Sequence, residues 1–73
     1  MQTVFIFRPY TKKELALNYF PNSLPRTAVN HLMAWINRCP ELLDELARTG
    51  YTTNAKSFTP RQVHLIVKHI GEP

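Results

Sequence analysis

Two segments of this chain begin in the same way. YTKKELALNYF, residues 10–20, and FTPRQVHLIVKHI, residues 58–70, align when shifted by 48 positions. Tyr10 then meets Phe58, Thr11 meets Thr59, Lys13 meets Arg61, and Glu14, Leu15 and Leu17 meet Gln62, Val63 and Leu65. A threonine followed three residues later by glutamate or glutamine is a capping box. Its hydroxyl accepts the N–H of the third helical residue, whose side chain reaches back to the N–H of the threonine. Tyr10 with Leu15, and Phe58 with Val63, are spaced as hydrophobic staples across each start. Pro60 occupies the favoured first helical position. The repeat is therefore read as a repeated helix start, and it fixes where two helices begin.

Two more helices lie between these starts. From about Pro25 to Arg38, the residues Ala28, Val29, Leu32, Met33, Trp35 and Ile36 share one side of a helical wheel. Thr27, Asn30, His31, Ala34 and Arg38 lie opposite, with Asn37 at the edge. Pro40 opens a third helix with Leu42, Leu43 and Leu46 apolar, and Gly50 is placed as its left-handed stop. Val63, Ile66, Val67 and Ile70 give the last helix a continuous stripe that ends at Gly71. Tyr51–Ser57 reads as a polar loop. The first segment, TVFIFRPY, is β-branched and aromatic and reads as a short strand ended by Pro9, with a partner near Lys56–Phe58. The expected fold is mainly α: one domain over residues 1–73, a compact bundle of about four short helices, helix-turn-helix-like, with a short N-terminal β-strand. Its core is expected to include Leu15, Leu32, Trp35, Ile36, Leu46, Val63, Val67 and Ile70.

Seventy-three residues make one domain, and a chain of this size buries roughly 60% of its unfolded surface. An apolar fraction of 44% suffices for a modest core and separates the chain from disordered tails. The single cysteine, Cys39, has no intramolecular disulfide partner. With no signal-peptide pattern and no apolar run near the length of a membrane span, a soluble, cytoplasmic protein is expected. The net charge of +4 is uneven. Pro40–Thr49 carries three acidic residues against one basic, a net of −2, and the remainder carries +6. A basic body with one acidic helix suits nucleic-acid binding, and equally suits plain solubility.

Enzyme chemistry is not expected. The chain has no Gly-rich phosphate loop, no paired-carboxylate pattern and no Cys-x-x-Cys or His-x-x-x-His spacing, so no catalytic residue, cofactor or metal ligand is assigned. Cys39 reads as a small packing residue at a helix junction. His64 and His69, five apart, point to different faces. Glu41, Asp44 and Glu45 solvate the acidic helix and suit its N-terminal half.

The order of the first two helices carries the functional reading. A short helix over Lys12–Tyr19, the turn Phe20-Pro21-Asn22-Ser23 and an amphipathic second helix follow the plan of a helix-turn-helix. Arg26, Thr27, Asn30, His31 and Arg38 are the candidate contacts from the second helix, since Asn pairs with adenine and Arg with guanine. Lys12, Lys13, Arg8, Arg61, His64 and Lys68 are candidates for phosphate. The turn lacks glycine and holds Pro21, a departure from the usual DNA-binding turn. The expected function is a DNA-binding accessory or regulatory role on double-stranded DNA. The alternative is a protein–protein interaction adaptor without nucleic acid, marked by an apolar surface near Leu65, Tyr19 or Phe20.

YTKKELALNYFP, the Trp35-Ile36 pair, PELLDELARTGY and the closing FTPRQVHLIVKHIGEP together resemble a family of short Bacteroides-type bacterial proteins catalogued as a domain of unknown function. That resemblance implies a compact, mostly helical, cytosolic domain and no activity. A looser similarity to excisionase-like and winged-helix proteins rests on Tyr10, Thr11, Glu14, Leu15 and Ala16 alone, and is one of fold.

Overall fold

The computed structural model describes residues 5–73. The element order is β1 (Tyr10–Thr11), α1 (Lys12–Tyr19), α2 (Pro25–Asn37), α3 (Pro40–Arg48), β2 (Ser57–Phe58) and α4 (Pro60–Ile70). All four helices begin where the sequence places them. Both capping boxes close. Thr11 Oγ1 accepts the Glu14 N–H at 3.0 Å and Glu14 Oε1 accepts the Thr11 N–H at 3.0 Å. The second box repeats this, with Thr59 Oγ1 3.2 Å from the Gln62 nitrogen and Gln62 Oε1 3.0 Å from that of Thr59.

The two strands form an antiparallel pair with Tyr10 opposite Phe58 and Thr11 opposite Ser57. Lys12 N–H extends the pairing to the Lys56 carbonyl at 2.9 Å. The expected strand over TVFIFRPY is corrected here: the strand lies after Pro9, at Tyr10–Thr11. Thr3 and Val4 lie outside the described residues. From Phe5 the chain curls back on Tyr10 instead of extending. The Phe5 ring stacks on that of Tyr10 with centroids 5.6 Å apart, and the Tyr10 hydroxyl donates to the Ile6 carbonyl at 2.8 Å. The partner strand at Ser57–Phe58 falls within the expected stretch.

The core gathers Tyr10, Leu15, Ala16, Ala28, Leu32, Ile36, Leu42, Leu46, Phe58, Val63 and Ile66. Five of the eight expected core residues, Leu15, Leu32, Ile36, Leu46 and Val63, are fully buried. Val67 and Ile70 pack at its margin. Trp35 is the correction, at 41% exposed. It sits on the border of the apolar face of α2, so its ring packs against Tyr19 and Phe20 and leaves its remaining surface to solvent. Gly50 has φ +87°, the left-handed conformation that ends α3. Among the described residues, no helix is long and apolar enough to cross a membrane.

Candidate nucleic-acid interface

Ala28, Leu32 and Ile36 recur every fourth residue and anchor α2 in the core. The rest of this helix divides into two exposed flanks. Arg26, Asn30 and Asn37 lie on the side of Val29 and Met33; Thr27, His31 and Arg38 lie on the side of Trp35. The expected contact residues Arg26, Thr27, Asn30 and His31 on α2, and Arg38 at its C-cap, are all exposed. α1 packs on α2 across the turn Phe20–Leu24, which is closed by a Ser23 N–H to Phe20 carbonyl bond of 3.2 Å.

Beside the Val29 flank lies a shallow groove of about 410 Å³. Thr11, Val29 and Ala55 line it, and Lys12, Lys13 and Lys56 supply its charge, with no acidic residue in the wall. Three local facts assemble it. The first capping box fixes the start of α1, so Lys12 and Lys13 lie in its first turn. The strand pairing then draws the backbone of Lys56 against Lys12. Finally, Lys12 Nζ donates to the Thr53 carbonyl at 3.0 Å and lies 5.2 Å from the centroid of the Tyr51 ring, tying the loop to the helix.

The other expected phosphate contacts lie elsewhere. Lys68 Nζ is 3.8 Å from Glu45 Oε1, and Arg61 lines a cleft with Glu45, Arg48, Thr49 and Leu65. These two residues therefore face α3, not the lysine groove. His64 lies against Phe7, with ring centroids 5.1 Å apart. Arg8 is engaged locally, with its guanidinium 3.9 Å over the Tyr10 ring and 3.7 Å from Glu14. Glu14 is held below the usual carboxylate range, first by the Thr11 backbone N–H and also by the charge of Arg8.

The opposite flank of α2 is aromatic. Phe20 packs edge-to-face on His31 at 5.2 Å between centroids and tilts against Trp35 at 4.8 Å. Leu24, at the start of the helix, is 74% exposed. Tyr19 closes one side, donating its hydroxyl to the Gly71 carbonyl. Burial, assisted by the charge of Glu72, pushes the Tyr19 phenol up to about 12.

Sequence reasoning missed Lys56 as a member of the basic site. It is far from Lys12 along the chain, and the single available signal was the expected strand pairing at its position.

These features define a small, mainly helical domain. Capping boxes start α1 and α4, a short strand pair joins those two starts, and α1, α2 and the segment before β2 line a groove with three lysines. The chain belongs to the family described as Domain of unknown function (DUF4248), whose model matches residues 6–73. No curated protein and no solved structure matches it.

Proposed function

We propose that this domain binds double-stranded DNA, with α2 toward the major groove and Lys12, Lys13 and Lys56 on the phosphates. The observation that carries this reading is the gathering of three lysines around one groove that Val29 of α2 also lines, with no carboxylate in its wall. In helix-turn-helix proteins the N-terminal part of the second helix meets base edges while neighbouring groups hold the backbone. Arg26, Thr27, Asn30 and His31 occupy that part of α2, and all are exposed. Arg61 and Lys68 have no role in this arrangement, because they face α3.

The test is binding to a labelled mixed-sequence duplex across a salt series. Each phosphate neutralised contributes about −0.9 to the slope of log affinity against log salt. Three lysines therefore give a slope near −3, and Lys56→Ala reduces its magnitude by about 1. Asn30→Ala leaves this non-specific slope unchanged and weakens only binding to a selected preferred sequence. Failure to bind duplex at low salt refutes the reading.

A second reading, a protein-interaction adaptor, is favoured by the aromatic flank of Phe20, His31 and Trp35 with exposed Leu24. Aromatic side chains on a surface are common anchors of protein interfaces. Absence of duplex binding at low salt is the outcome that leaves this reading standing.

A further inference from the structure

Away from the lysine groove, three side chains from two helices and the junction before one of them stand in a row. Cys39, the residue immediately before α3, has its Sγ 3.8 Å from Nδ1 of His69 in α4. On the other edge of that ring, His69 Nε2 lies 3.3 Å from Oε2 of Glu45 in α3. Both of these last atoms are out of water and lack a hydrogen bond of ordinary geometry. Their proximity is not a by-product of solvation, since neither atom reaches solvent.

The arrangement selects a tautomer. The charge of the Glu45 carboxylate, 3.3 Å from Nε2, favours the proton on that nitrogen, which leaves the Nδ1 lone pair on the side of the thiol. A thiol and a carboxylate on opposite edges of one imidazole form a relay, not a cage. Consistently, no group of His, Cys, Asp and Glu among the described residues is placed to hold a metal. Cys39 also sits at the N-cap of α3, where its side chain makes no capping hydrogen bond. The nearby charges are few. Lys68 Nζ is 3.8 Å from the outer oxygen of Glu45, Arg38 precedes Cys39 in the chain, and Glu41 and Asp44 lie on the exposed surface of α3.

We propose that Cys39 is a reactive thiol, a site of mixed-disulfide formation with low-molecular-weight disulfides, with His69 as its base and Glu45 as the positioning residue that holds the His69 tautomer. The Cys39 proton passes to His69 Nδ1. The sulfur then attacks one sulfur of the disulfide, a new S–S bond forms, the original S–S bond breaks, and the departing thiolate takes up a proton. The small disulfide is the oxidant and is itself reduced to one free thiol, so the exchange balances without another reagent. Cys39 is partly exposed, as the approach of a small disulfide requires.

The experiment follows the reaction of the full chain with glutathione disulfide by intact mass and by release of glutathione. The expected product carries one glutathione on Cys39, and the folded chain reacts faster than the same chain in urea. A positioned base contributes on the order of 10²–10⁴ to such proton transfers, so His69→Asn slows the reaction at least about tenfold. Glu45→Gln slows it less. The rate–pH profile of the wild-type chain carries a second titration step that His69→Asn lacks. A folded chain that reacts no faster than the unfolded one overturns the proposal. So does a folded His69→Asn variant that keeps the wild-type rate and profile. If His69→Asn does not fold, the comparison with urea and the Glu45→Gln rate decide the matter.

Discussion

Replacing Gln62 with alanine separates two contributions that the repeated helix start combines. Glu14 and Gln62 hold the same position in their capping boxes, but Glu14 is exposed and Gln62 is only 6% exposed. Gln62 also does more. Its Oε1 accepts the Thr59 N–H at 3.0 Å, while its Nε2 donates to Thr49 Oγ1 at 2.9 Å. That hydroxyl in turn donates to the Leu46 carbonyl at 2.6 Å. Truncation removes two hydrogen bonds worth about 1 kcal/mol each. It also removes a buried methylene worth about 0.8 kcal/mol, so Gln62→Ala costs about 3 kcal/mol. Glu14→Ala loses a solvent-exposed reciprocal bond and a surface ion pair with Arg8, both weakened by water, and costs clearly less. In a domain of this size each kcal/mol moves Tm by roughly 4–8 °C, so the two variants are easily told apart. Urea unfolding followed by far-UV circular dichroism measures both. Equal costs within about 0.5 kcal/mol, a typical additivity error, refute the claim that the Thr49 link and burial distinguish the second box.

Trp35→Ala is expected to cost about 1–2 kcal/mol, well short of the roughly 3–5 of a buried aromatic, because much of its ring already faces solvent. A larger loss in the same unfolding assay contradicts its placement at the core margin. Tyr19 gives an alkaline prediction. Its phenol is raised from 10.0 to about 12 in the folded chain, so the folded state holds this proton more tightly. The contribution is complete below pH 10 and is lost as pH rises toward about 12. Tyr19→Phe, which has no proton to lose, flattens stability over that window; an unchanged alkaline slope sinks the assignment.

The helix boundaries were legible because their signals are local. Thr11 with Glu14, Thr59 with Gln62, Pro25, Pro40 and Gly50 each act through neighbouring backbone groups, and each appears where the sequence places it. Trp35 was misjudged for the opposite reason. A helical wheel places it at the edge of an apolar face, and only the position of α1 decides whether that edge is covered. The strand before Pro9 failed similarly, since a β-rich composition does not specify a partner, and Tyr10 took the pairing. The candidate site was legible in part. The α2 contacts are exposed as expected, but Lys12 and Lys13 cluster with Lys56, whereas Arg61 and Lys68 turn to α3. Such groupings depend on chain crossings that spacing along the sequence does not reveal.

The strand pair has a consequence for the order in which the molecule is completed. Tyr10 and Phe58 meet across nearly two thirds of the chain, and closing a loop of that length costs about 3 kcal/mol of chain entropy. The α1–α2 hairpin closes a far shorter loop and is favoured to form early, as local contacts generally are. During synthesis Tyr10 therefore emerges long before its backbone partner exists, and the two-residue ladder acts as a latch that shuts late. A nascent chain halted before Phe58 lacks that latch. Lys56, the third cation of the groove, comes into place only when the latch closes.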